Sequence, residues 1–218
     1  MKTSKPAATG RRFRGLDSRQ RQQQRREQLI EAGLQAFGTK GYHNAGVREI
    51  CGEARLTERY FYESFANREA LFLAVYAHAI ETVRSAVVLA IGRSDRDVRS
   101  LARTAIRAFL ETLRDDPRLS RILLIDALTV SADVGRQSQQ ATQSFADLVG
   151  SLILSLYPQL PKQRVDTQLI ANGLVGSTVH LAMQWAASGF DQPLDRILEH
   201  CVLFYDAAGA QAERMTAG

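Results

Sequence analysis

Apolar positions in the first third of the chain recur at helical spacing, and small residues interrupt them. Ile30, Leu34 and Phe37 stand at i, i+4 and i+7, one face of a helix that starts near Arg19. Gly38 and Gly41 stop it. Val47, Ile50, Cys51 and Ala54 then define a short second helix, with Arg48, Glu49, Gly52 and Glu53 on its other face. A tight break follows at Arg55-Leu56, after which Thr57 is placed to cap a third helix and Glu58 to support its first turn. Phe61 and Phe65 share one face of that helix, while Tyr60, Tyr62 and Ser64 lie elsewhere on the cylinder. Asn67 is a suitable N-cap for a fourth helix beginning at Arg68.

Beyond this point the pattern predicts helices over 68–91, 97–115, 119–132, 136–156, 162–188 and 194–208, separated by Gly, Pro and Asp. No strand alternation competes, so the fold class is all-α. The expected organisation is a disordered basic arm over 1–18, a three-helix DNA-binding domain over 19–67, and a helical bundle for effector binding and dimerisation over 68–218. Helix, short helix, tight turn, short helix is the order of a helix-turn-helix, whose second member enters the DNA major groove with its N-terminal residues toward base edges. Those residues are Thr57, Glu58, Arg59 and Tyr60.

Charge points the same way. The 218-residue chain carries a formal +5, but residues 1–68 hold 14 Lys and Arg against 7 Asp and Glu, and the remainder holds 14 against 16. A basic segment on a neutral body suggests nucleic acid or a membrane surface. Arg11, Arg12, Arg14, Arg19, Arg21, Arg25 and Arg26 form a cluster able to follow a phosphate backbone or a minor groove. Cys51 and Cys201 are too few for a disulfide framework or a multi-Cys zinc site, and read as reduced, packed thiols of a cytoplasmic protein. The opening MKTSKPAATG has no apolar run behind its charges, so no signal peptide is expected. The uncharged stretch 167–190 is long enough to span a bilayer, yet holds Gln168, Asn172, Thr178, His180 and Gln184, so it is read as a buried or interfacial helix.

Residues 25–76 resemble the N-terminal module of the TetR family of transcriptional repressors. The resemblance rests on Phe37, Gly41-Tyr42, Ile50-Cys51, Tyr62-Glu63-Ser64-Phe65 and Arg68-Glu69-Ala70-Leu71, all in register. Three positions depart from the family pattern. Ala45 and Gly46 replace the Ser or Thr that opens the second helix, Cys51 replaces the Ala of Ile-Ala, and Arg55 replaces the turn Gly. The first departure removes a phosphate-contacting hydroxyl, and the last asks a non-glycine residue to adopt a positive φ.

The resemblance implies roles residue by residue. Arg48 is a candidate for bidentate recognition of guanine, and Tyr62 for a phosphate hydrogen bond, with Ser64 beside it on the recognition helix. Arg68 would pair with another phosphate at the start of the fourth helix. It also implies a homodimer through the last two long helices, with Gly173, Leu174, Gly176, Ser177, Leu181, Leu198, Val202 and Tyr205 at the interface. An effector would sit in the bundle against Phe109, Leu113, Phe145, Leu148, His180, Met183 and Gln184, joined by Tyr76, Leu124, Leu152 and Trp185. That lining suits a small lipophilic molecule. The expected function is therefore a ligand-responsive repressor that binds a palindromic double-stranded operator as a dimer and is released by its effector. No cofactor, metal or membrane partner is expected. The rivals are an effector-independent architectural DNA-binding protein and a membrane-associated helical protein. Enzymatic function has no nucleophile elbow, P-loop, Rossmann glycine pattern or HExxH to support it.

Overall fold

The structure, a computed structural model, describes residues 10–92, 98–160 and 165–216. It is all-α, with no strand among the described residues. Helix α1 (Gly10–Lys40) leads into a 3-10 turn at Tyr42–Asn44, then α2 (Val47–Glu53) and α3 (Glu58–Ser64). The long α4 (Arg68–Ile91) and α5 (Val98–Asp115) follow. Next come the single turn α6 (Pro117–Ser120), a π-helical turn at Arg121–Ile125 and a 3-10 turn at Asp126–Leu128. Helices α7 (Ala132–Leu156), α8 (Thr167–Ala187) and α9 (Leu194–Thr216) complete the bundle.

Several boundaries differ from the sequence pattern, each for a local reason. Helix α1 starts at Gly10, so residues 10–18, expected to be disordered, join the helix. That stretch contains three arginines and no proline, and it runs on into the helix-favouring Arg- and Gln-rich segment 19–26. The rest of the expected arm, 1–9, lies outside the described residues. The helix expected over 119–132 is broken, with α6 capped by the Asp116 carboxylate on the Arg118 amide and the chain widening into the π turn. Ser131 accepts from the Val134 amide and starts α7 four residues before the expected Arg136. Asp166 accepts from the Gln168 and Leu169 amides and starts α8 five residues after Lys162. Asn67 caps α4 as expected, accepting from the Ala70 amide.

The N-terminal module closes around an aromatic nucleus. Phe37, Tyr42 and Phe72 stand with ring centroids 5.2–5.7 Å apart, and Leu29, Ile50, Phe61 and Leu71 are fully buried around them. The core runs without a gap along α4 through Val75, Tyr76, Ala79, Val83 and Val87 into the bundle. The expected boundary at 67/68 is thus the start of a shared helix. Among the described residues, α4 is also long and apolar enough to cross a membrane, but those residues face the interior. Burial pushes the Cys201 thiol up to about 11 and raises that of Cys51, so both stay protonated.

Candidate nucleic-acid interface and effector cavity

The turn between α2 and α3 sets the recognition helix. The Leu56 amide donates to Cys51 O at 2.9 Å and the Arg55 amide to Gly52 O at 3.1 Å, with Arg55 at φ 54°. This is a Schellman closure, which calls for a left-handed residue where Arg55 stands. The positive φ expected from the missing glycine is therefore present, at a cost of about 1 kcal/mol. Thr57 takes an extended N-cap conformation, but its side chain makes no cap hydrogen bond, contrary to the sequence expectation. Its hydroxyl is thus not committed to α3.

Helix α3 turns Phe61 inward and leaves Glu58, Arg59, Tyr62 and Glu63 exposed. Tyr62 is 59% exposed, and Arg59 donates from Nε to Glu63 Oε1 at 3.1 Å. Tyr60 is half-buried under the guanidinium of Arg25, 4.5 Å from its ring. Ser64 is half-buried, and its carbonyl accepts from Arg26 Nη1 at 2.8 Å. On α2, Arg48 is exposed, and Gly46 caps the helix without a side chain. Arg68 is placed differently from the expectation. Its Nη1 donates to Ala45 O at 3.1 Å and its guanidinium lies 4.3 Å over the Tyr42 ring. It ties the start of α4 to the entrance of α2.

Behind this module, the π turn grips the same aromatic corner. Asp126 Oδ2 accepts from the Tyr42 amide at 2.9 Å, and Arg121 Nη1 donates to Thr39 O at 3.3 Å. Arg118 Nη1 reaches Gln35 Oε1 at 2.8 Å. Gly41 sits at φ 84°, and a Cβ there would stand 2.6 Å from Arg121 Nη2. Gly38 likewise admits the Arg118 backbone. Sequence reasoning missed this contact because its partners lie more than 80 residues apart.

The bundle encloses a cavity of about 360 Å³ between α4, α5, α7, α8, α9 and the π turn. Phe109, Phe145 and Leu148 line it as expected, together with Tyr76, Leu124 and Leu152. The other four proposed lining residues do not. Leu113 is buried in solid core, and His180 and Gln184 pair with each other on the exposed side of α8. Met183 packs half-buried against the core, and Trp185, the further candidate, is buried with its Nε1 donating to Gln192 O at 2.9 Å. The reason is register: Leu174, Val175 and Thr178 face the cavity, which turns His180 and Gln184 away. Among the described residues, none around the cavity is Asp, Glu, Lys, Arg or His. Burial raises the pKa of the Tyr76 and Tyr205 hydroxyls, which stay neutral.

The expected interface residues also divide. Gly173 and Gly176 are exposed on α8, and Ser177 and Leu181 are half-buried there. Leu198 and Val202 are fully buried within the chain, and Leu174 and Tyr205 line the cavity, so these four do not form an outer face. On α8 and α9 the exposed large apolar residues are Leu169, Ile170, Leu203 and Phe204, with Ile170 at the rim of the cavity. Adjacent register positions distinguish them from the core set, a signal too fine for periodicity alone.

This is the architecture of a helix-turn-helix regulator carrying a C-terminal helical domain. The family described as bacterial regulatory proteins, tetR family, matches residues 29–75. The HTH-type transcriptional activator FasR of Mycolicibacterium smegmatis is 31% identical over 173 residues, 79% of this chain and 76% of that protein. The chain belongs to the tetR family of bacterial transcriptional regulators. The fold is shared with the fatty acid degradation regulator FadR of Bacillus halodurans, at TM-score 0.71 and 16% identity, over 83% of this chain and 93% of that one. It is also shared with FadR of Bacillus subtilis in complex with stearoyl-CoA, at TM-score 0.70 and 12% identity, over 82% and 96%.

Proposed function

We propose that the chain binds a palindromic operator as a homodimer and acts as a repressor released by a small lipophilic effector held in the bundle cavity. The carrying observation is that cavity. Its 360 Å³ falls within the range of small-molecule sites, and its described lining residues include no charged side chain. Leu123 and Leu124 of the π turn belong to its wall, while Arg121 and Asp126 at the ends of that turn hold the corner at Thr39 and Tyr42. A ligand with different affinities for two arrangements of the turn shifts the spacing of the two recognition helices, and with it operator affinity. Stearoyl-CoA in the Bacillus subtilis FadR structure makes a long acyl chain the first ligand to try.

The exposed stripe of Leu169, Ile170, Gly173, Gly176, Leu203 and Phe204 is the surface assigned to the second protomer. Two recognition helices about one DNA turn apart require such a partner. Thr57, Glu58, Arg59, Tyr60 and Tyr62 on the recognition helix, with Arg48 on α2, are assigned to the DNA face.

The test is operator binding by purified protein with and without long-chain acyl-CoA. Release is expected for the wild type, and weakened release for Leu152→Trp, whose indole intrudes on the cavity while the operator complex survives. Unchanged affinity for every lipophilic ligand tried would favour the effector-independent architectural reading. Activation is the second reading of the output, favoured by the description of FasR as an activator. A promoter reporter decides its sign.

A further inference from the structure

Helix α3 has seven residues, two turns, too few to hold their shape unaided. One face is anchored by Phe61, and the opposite face has to stay clear for DNA. Its C-terminal carbonyls also need donors from elsewhere. Two neighbouring arginines of α1 reach across to this helix, and one of them supplies such a donor. Arg26 donates from Nη1 to Ser64 O at 2.8 Å, and its guanidinium lies 4.2 Å over the Phe65 ring. Arg25 lies 4.5 Å over the Tyr60 ring, with its Nη2 4.0 Å from Glu63 Oε2. The Arg26 contacts and the Arg25–Glu63 pair fall on the C-terminal half of α3 and the residue after it, while Arg25 also covers Tyr60 in the first turn. Glu58 and Arg59, which would approach the bases, receive none of these contacts.

We propose that Arg25 and Arg26 are positioning residues for DNA reading: they fix the recognition helix from α1 instead of binding phosphate as part of a basic arm. The planar guanidinium is suited to this, because it stacks on a ring and donates in its plane at the same time. A cation at the helix C-terminus also matches the helix dipole. Arg25 has a second effect through Glu63, which accepts from Arg59 at 3.1 Å while facing Arg25. Sharing that carboxylate lowers the cost of releasing Arg59 to a base edge. Without Arg25, Glu63 holds Arg59 alone.

The experiment compares the full-length protein with Arg26→Ala, Arg25→Ala and Arg26→Lys. Each is measured on an operator obtained by binding-site selection and on a scrambled duplex, across a salt series. Arg26→Ala is expected to lose about tenfold, and Arg25→Ala about threefold, in operator-over-scrambled preference, with the salt slope unchanged. Arg26→Lys retains charge and a donor but loses the plane over Phe65, so its preference is expected to fall between wild type and Arg26→Ala. A drop of about one in the log–log salt slope, with both duplexes weakened alike, would identify a phosphate contact and overturn the proposal. Unchanged preference and slope would overturn it too. Should circular dichroism show that Arg26→Ala has lost helix, Arg26→Lys decides, and a wild-type preference there is the overturning result. A wild-type protein without any preference between duplexes would overturn the operator reading together with this inference, whereas the variant outcomes bear on this inference alone.

Discussion

The N-terminal module and the bundle are built from the same apolar residue types and fill space in opposite ways. Phe37, Tyr42 and Phe72 interlock at 5.2–5.7 Å, whereas Tyr76, Phe109 and Phe145, farther down the same continuous core, surround about 360 Å³ of open volume. Dense packing makes the DNA-reading end intolerant of lost volume. The open volume gives the bundle room to change shape. The difference teaches that aromatic content alone separates neither function, since what matters is whether rings meet rings or a void.

The largest expected break in this contrast is Phe72→Ala. Removing a fully buried ring from the nucleus is expected to cost about 3–5 kcal/mol and to abolish operator binding, as read by denaturant melts and gel shift. A loss below about 1 kcal/mol would refute the dense-nucleus description. Second is Gly41→Ala, which forces a side chain into a left-handed position and against Arg121. A loss of about 1–2 kcal/mol is expected, with weaker coupling between effector and operator. Smallest is Arg55→Gly. It relieves a positive φ and is expected to raise stability by about 0.5–1 kcal/mol, visible as a higher denaturant midpoint at unchanged slope.

The all-α class, the α2–α3 turn and the Asn67 cap were legible because each depends on residues within a few positions of one another. The strained turn was legible for the same reason, since one missing glycine at Arg55 implies it. The π turn was not, because the widening at Arg121–Ile125 accompanies contacts with Thr39 and Tyr42, which no local pattern encodes. Cavity, core and outer face could not be separated either. Leu113, Leu198 and Val202 present the same apolar side chains as Leu152 and Leu203, and only register assigns them. Charge was legible in sum but not in its partners. Arg25, Arg26 and Arg68 counted as basic residues available to DNA, and in the structure all three stack on aromatic rings of their own chain.

The uncharged lining of the cavity has a consequence for how the molecule responds to its surroundings. Contacts made by methyl groups and rings are insensitive to dilute electrolyte, while a face that neutralises phosphates loses affinity steeply as salt rises. Under the proposed function, an apolar tail in the cavity and a duplex at the opposite end answer directly to different variables of the solution. Rising salt would weaken operator binding directly and would reach a tail in the cavity only through the coupling between the two sites.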